Sequence, residues 1–235
     1  MKENDIFGKA MKAFYYEKDT TPITVHSPDF DDDEIAVEYL FRDYPDMPVV
    51  EQSALKLAKG SILDVGCGAG SHALYLQKKG YSVKAIDTSE GAIEIAKKRG
   101  VKNAEVKDFY SETQQFDTLL FLMNGTGIIG NLINTDNFFQ SCKELLKPGG
   151  QILIDSSDLH FLIDDEDSLP TTEDNYIGEI DFSLSYKNER STLFPWLYLD
   201  YKLLKLAAEK NKFTCTCITE GSHYEYLARL TPKIL

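Results

Sequence analysis

"SILDVGCGAGSHALYLQKKGYSVKAID", Ser61–Asp87, holds a short apolar run, three glycines at alternate positions, an amphipathic stretch, a second apolar run and a closing carboxylate. A glycine-rich turn between strand and helix lets the backbone come close to a ligand, because side chains there would block it. By itself the pattern is shared with dinucleotide-binding folds. Three details separate the readings. The spacing is Gly66-x-Gly68-x-Gly70 followed by Ser71, whereas the dinucleotide fingerprint carries its third glycine one residue later. Asp64 stands in the approach to the turn, where it would repel a pyrophosphate and attract a cationic amino-acid group. Asp87 ends the second apolar run, placed for a bidentate hydrogen bond to ribose hydroxyls.

From Ser61 onward strand and helix alternate, the signature of a parallel sheet covered on both faces. "SILDV" reads as a strand and "SHALYLQKKG" as a helix ended by Gly80. "YSVKAID" is a strand, and "SEGAIEIAKKRG" a helix capped by Ser89 and stopped by Gly100. "NAEVKD" and "FDTLLFLMN" follow as the third and fourth strands, "TDNFFQSCKELLKPGG" as a helix capped at Thr135, and "QILIDS" as the fifth strand. The alternation then lapses into an acidic, loop-rich stretch with one period-2 segment, Ile180–Tyr186. It returns with the helix "WLYLDYKLLKLAAEKN" and the closing strands "KFTCTCIT" and "HYEYLARL". Upstream, "DIFGKAMKAFYY", "DDDEIAVEYLFRDYP" and "VVEQSALKLAKG" read as helices and "TTPITVHSPDF" as a loop. The expected fold is a single α/β domain, a three-layer, doubly wound, seven-stranded and mostly parallel sheet. It carries an N-terminal helical lid (1–60), a cofactor-binding core (61–155), a substrate-side insertion after strand five (156–195), and a closing helix with two strands (196–235).

A chain of 235 residues supports one sizeable core. Its net charge of -13 repels phosphate backbones, and no basic run offsets it, so nucleic acid is not an expected partner. "AKKRG" (Ala96–Gly100) fits a helix end, where cations suit the dipole. Met1–Asp19 lacks the apolar core of a signal peptide, and nothing approaches the roughly 20 apolar residues of a membrane span. The four cysteines show no paired C-x-x-C spacing, which argues against a zinc site. A cytoplasmic protein with no metal and no membrane partner is expected.

A ligand with a ribose and a cationic amino-acid tail but no phosphates is S-adenosylmethionine. The sequence resembles the class I methyltransferases at this point. "LDVGCGAG" is similar to their first motif, "AID" to their second, "VKDF" to their adenine-contacting segment, and "LLKPGG" to the turn before their fifth strand. The resemblance implies a seven-stranded sheet with an antiparallel last strand and the cofactor at the carboxyl ends of the first strands. It would give Gly66, Gly68 and Gly70 the approach to the methionine part, with Asp64 and His72 beside them. Asp87, followed by Thr88, would hold the ribose; Asp108 the adenine amino group; Phe109 the ring's surroundings; Met123 and Asn124 the substrate side of the cofactor. "YLFRDYPDMPVVEQSAL", "FLMNGTGIIGNL", "IDSSDL" and "YLARL" resemble a bacterial group of class I methyltransferases of unassigned substrate.

The substrate side is less legible, because a sulfonium methyl is already activated and needs mainly alignment and a dry site. "LMNGTG" has Asn124 but Gly125 and Thr126 where enzymes that methylate base amines carry prolines, which argues against a nucleic-acid base as acceptor. Candidate catalytic groups are His160 and Asn124; an Asn before Gly is equally a turn former. Arg42 is a candidate carboxylate clamp, with an ion pair to Asp43 or Asp46 as the plainer alternative. Tyr186 and Trp196 are candidate walls of a small-molecule pocket, although aromatics at such positions are most often core. The run Asp164–Asp167 reads as a solvated loop. The reading is a methyltransferase acting on a small molecule. The alternatives are a catalytically silent S-adenosylmethionine-binding module and a nicotinamide-dependent oxidoreductase, against which the glycine spacing and Asp64 speak.

Overall fold

A computed structural model describes residues 5–162 and 176–233. The chain runs α1 (Ile6–Glu17), β1 (Ile23–His26), β2 (Asp33–Ile35), α2 (Val49–Leu57), β3 (Ser61–Val65), α3 (Ser71–Lys78), β4 (Ser82–Asp87), α4 (Glu90–Arg99) and β5 (Ala104–Val106). It continues with β6 (Phe116–Phe121), α5 (Thr135–Leu145), β7 (Leu146–Ser157), β8 (Glu179–Tyr186), β9 (Glu189–Arg190), β10 (Phe194–Leu197), α6 (Tyr201–Lys210), β11 (Phe213–Glu220) and β12 (Glu225–Pro232). The main sheet has seven strands in the order β11-β12-β7-β6-β3-β4-β5. β12 runs antiparallel to both its neighbours, while β7, β6, β3, β4 and β5 pair in parallel.

Side-chain alternation on these strands fills both faces. On β6, Leu119 and Phe121 join an aromatic core with Phe109, Phe116, Phe138, Phe139 and Phe213. Leu120, between them, points to the other face and packs with Ile62, Leu153, Leu55, Leu76 and Ile93. Ser89 caps α4 by accepting from the Ala92 N–H at 2.9 Å, and Gly100 closes it at φ 107°. The cap of α5 falls one residue earlier than expected, at Asn134.

A second, antiparallel sheet is the main departure from the sequence reading. β1 and β2, from stretches expected as a loop and a helix, pair with each other and with β8 of the insertion; β10 and β9 complete the sheet along β8. Val37–Phe41 and Tyr44–Asp46 form only single 3-10 turns. "WLYLD" likewise yields strand and loop, and α6 begins only at Tyr201, capped by Asp200. The N-terminal sixty residues are thus strand and helix together. Ile6, Ala10, Ile23, Val37, Leu184 and Tyr186 are buried between α1 and this sheet. The acid run Asp164–Asp167 lies outside the described residues.

α1 lies against α4, and glycines allow the approach: a Cβ on Gly91 would sit 2.5 Å from the Gly8 Cα. Asp5 bridges the two helix starts, accepting from the Gly8 N–H and the Gly91 N–H at 2.9 Å each. Both N-termini favour that negative charge.

Candidate functional site

The carboxyl end of β3 runs into a turn in which Gly66, Gly68 and Gly70 have φ of 70°, 51° and 83°. A residue with a Cβ is strained in that left-handed region, which is why the turn needs glycine. The Gly66 and Cys67 N–H groups both donate to the Ile86 carbonyl, at 2.9 and 3.1 Å, which binds the turn to β4. No atom lies within 4 Å of where a Gly68 Cβ would stand, so the backbone there faces open space. Asp87 ends β4 and accepts from the Gly68 N–H at 2.9 Å and the Ser89 N–H at 2.8 Å. Burial raises its carboxyl above the usual range, against the pull of those N–H donors. Thr88 follows it, exposed.

Beside the turn lies a buried chain of charges. Arg42 pairs with Glu51 through a short contact, and Glu51 Oε2 lies 2.6 Å from His72 Nε2 in the first turn of α3. Burial pulls His72 down, but the bond to Glu51 and the field of Asp64 outweigh it and hold the imidazole above its ordinary value. Burial likewise raises Glu51, and its bonds to His72 and Arg42 reverse that, leaving it below the carboxylate range. The Arg42 guanidinium also sits 3.8 Å from the centre of the Tyr39 ring. Asp43 and Asp46 are therefore not its partners; the sequence pointed to neighbours in the chain, and the fold supplies Glu51 from α2.

Two polar atoms in this group are buried without a hydrogen-bond partner, Asp64 Oδ2 and Arg42 Nε. One is an acceptor and the other a cationic donor, and leaving either unpaired is costly. Burial pushes the Asp64 carboxyl up to about 6. An acceptor and a cationic donor are what an amino-acid zwitterion requires: an ammonium for Asp64 and a carboxylate for Arg42. In donor and acceptor chemistry the residues present fit the amino-acid end of S-adenosylmethionine.

The loop after β6 closes the other side. Met123 and Asn124 are consecutive non-glycine residues at φ 67° and 58°, a conformation that costs Met123 roughly 1–2 kcal/mol and Asn124 less. Asp155, at the end of β7, accepts from the Met123 N–H at 3.0 Å and the Gly125 N–H at 2.9 Å. Charge-assisted hydrogen bonds of this kind, worth about 1.5–3 kcal/mol each, offset the strain. The Ser157 hydroxyl donates to Asn124 Oδ1 at 2.8 Å, and the Thr126 hydroxyl bonds Ser156 and the Leu197 carbonyl at 2.7 and 2.8 Å. Trp196 lies on this loop; a Cβ on Gly127 would fall 1.9 Å from its ring.

The other candidates scatter. Asp108 caps a single turn, accepting from the Tyr110 N–H at 2.8 Å, and is exposed. Phe109 is 4% exposed and packs edge-on to Phe121 at 5.2 Å, so its ring belongs to the core. Tyr186 needs correction as a pocket wall. It is buried among the α1 contacts, with its hydroxyl 3.1 Å from Asp19, because β8 turns that face toward α1. His160 is half-exposed on the turn after β7, its Nδ1 2.6 Å from Asp158. Glu51, Asp155 and Arg99 were not singled out from sequence. Arg99, in the helix end read as dipole compensation, donates to the Ala69 and Phe41 carbonyls at 2.8 and 3.1 Å, fastening the glycine turn to the N-terminal segment. Asp155 carried a signal, since it ends an apolar strand as Asp64 and Asp87 do.

Among the described residues no His, Cys, Asp or Glu cluster could hold a metal ion, and no helix is long and apolar enough to cross a membrane. A family model described as a methyltransferase domain matches residues 62–150. A curated relative, the ubiquinone biosynthesis O-methyltransferase of Chelativorans sp., is 30% identical over 40% of this chain and 38% of its own length. The chain thus covers about two fifths of the length of the curated relatives it matches. The sugar N-methyltransferase KedS8 from Streptoalloteichus sp. shares the fold, at TM-score 0.57 and 13% identity over 87% of this chain and 96% of that one. A SAM-dependent methyltransferase from Bacteroides fragilis, solved with S-adenosyl-L-homocysteine, is 45% identical, with TM-score 0.92, over 100% of this chain and 97% of that one. S-adenosylmethionine is accordingly the cofactor, and the chain belongs to the class I S-adenosylmethionine-dependent methyltransferases.

Proposed function

We propose that the protein transfers the methyl group of S-adenosylmethionine to a small-molecule acceptor bound at the carboxyl edge of the main sheet. The observation that carries this is the second sheet, built jointly from the N-terminal strands and the strands after β7. In this reading its flanking segments roof the cofactor site from two sides. Phe41, Leu40 and Met11 reach the glycine turn through Arg99, Ser71 and Ala69. Trp196 and Leu197 reach the loop after β6. A site enclosed in this way suits a compact acceptor, and the charge of -13 disfavours a polynucleotide.

S-adenosylmethionine supplies a methyl already activated on a sulfonium, so the protein's work is alignment and exclusion of water. In this reading Asp64 receives the cofactor ammonium and Arg42 Nε its carboxylate, while Glu51 holds Arg42 and His72 in place. Gly66, Gly68 and Gly70 present backbone along the amino-acid chain. Asp87, already ordering the turn through Gly68, faces the ribose with Thr88 beside it, and Asp108 meets the adenine amino group. Met123 and Asn124 border the methyl group, and Trp196 backs the loop that carries them.

The test is incubation with methyl-labelled S-adenosylmethionine and fractionated cell metabolites, with RNA, DNA and protein as parallel acceptors at physiological salt. Label is expected in a small-molecule fraction. Efficient labelling of a polymer instead would overturn the acceptor class.

A further inference from the structure

We propose that Asp155 is a positioning residue for methyl transfer: its carboxylate holds Met123 and Asn124 in the paired left-handed conformation that sets the acceptor side of the cofactor site. Three consecutive residues at the end of β7 grip four consecutive residues after β6. Asp155 accepts from the Met123 and Gly125 N–H groups, Ser156 meets the Thr126 hydroxyl, and Ser157 donates to Asn124 Oδ1. The grip extends to the strand that roofs the site, because Thr126 also donates to the Leu197 carbonyl, and the Leu199 N–H donates to Ser156 Oγ at 2.9 Å. Met123 in particular would relax toward ordinary backbone angles without such a clasp, since an unbranched apolar residue rarely holds a left-handed conformation. Asp155 is 4% exposed, so its two bonds act without competition from water.

The clasp depends on the charge state. An ionised carboxylate accepts both N–H bonds, whereas a protonated one turns an O–H toward one of the donors. Burial pushes the Asp155 carboxyl up to about 7, with Glu51 adding to the rise and the Gly125 and Met123 N–H groups and His72 opposing it. Tyr39 and Tyr226 also feel its charge from the N-terminal segment and β12. The clasp therefore loosens as pH falls through neutrality. Asp155→Asn mimics the protonated form at every pH, because its amide NH2 also faces a donor.

The test is calorimetry of S-adenosyl-L-homocysteine binding to the parent and to Asp155→Asn between pH 5.5 and 8.5, with folding checked by circular dichroism. The parent is expected to bind about tenfold tighter than the variant at pH 8.5, a difference of about 1.4 kcal/mol. The two should converge near pH 5.5. Asp64 and His72 are present in both proteins, so only their coupling to the Asp155 charge survives in the ratio. A ratio that stays constant with pH, or equal affinities throughout, would overturn the proposal, since a merely structural role has no reason to follow the carboxyl's charge. If Asp155→Asn does not fold, Asn124→Gly carries the test. Glycine takes φ 58° freely, so the affinity of this variant should depend less on pH than the parent's; an unchanged slope counts against the clasp.

Discussion

Asp64, Asp155 and His72 are three buried groups whose affinity for protons is raised by folding. Burial drives the two carboxyls to about 6 and about 7, and for His72 the bond to Glu51 overcomes burial. In each case the folded state holds a proton that the unfolded state has released, so stability falls as pH rises through the folded values. Groups held low, such as Glu51 and Asp117, act in the opposite sense only below the ordinary carboxylate range. The ligand-free protein should therefore lose on the order of a few kcal/mol of unfolding free energy between pH 5 and pH 8. Urea denaturation at a series of pH values measures this, and a flat or rising profile would show that the three groups are not buried as described. These residues also mark the limit of what sequence reveals. Asp64 and Asp87 were legible because each ends an apolar run beside a glycine turn. Glu51 was not, because an acid in the first turn of a helix reads as a partner for the dipole. Its burial becomes visible only when Arg42 and His72 converge on it from elsewhere in the chain.

At the scale of elements, the contact between β10 and the loop after β6 joins the second sheet to the main one. Gly127 leaves room for the Trp196 ring, and a methyl there would lie 1.9 Å from it. Gly127→Ala should force the ring or the strand aside and destabilise the protein by about 1–3 kcal/mol. An unchanged denaturation midpoint would mean that Trp196 is not seated there. The central strands were legible as apolar runs, and their helices from their period and from stop glycines such as Gly80 and Gly100. The second sheet was not. β1 pairs with β8 through Thr24 and Ser185, far apart in the chain, and β2 has only three residues, too few to display alternation. "DDDEIAVEYLFRDYP" reads as a helix from its leading acids, and tertiary pairing overrides that local preference. Trp196 also reads as the start of a helix, although Phe194–Leu197 in fact lies along β8.

The molecule as a whole joins a seven-stranded main sheet to a second sheet made from strands near the N-terminus and strands of the segment after β7; in the proposed reading the second sheet roofs the cofactor. The buried Asp64 oxygen and the Arg42 Nε have no hydrogen-bond partners of their own, and in the proposed reading they are the pair that meets the amino-acid end of the cofactor. The proposed reading thereby makes a specific chemical demand: tight binding requires a ligand with both an ammonium and a carboxylate. Calorimetry with S-adenosyl-L-homocysteine and with 5′-methylthioadenosine, which keeps the nucleoside and the thioether but lacks the amino-acid end, tests this most directly. Losing two charge-assisted bonds at about 1.5–3 kcal/mol each should weaken the truncated ligand by roughly a hundredfold or more. Binding of 5′-methylthioadenosine as tight as that of S-adenosyl-L-homocysteine would contradict the assignment of Asp64 and Arg42.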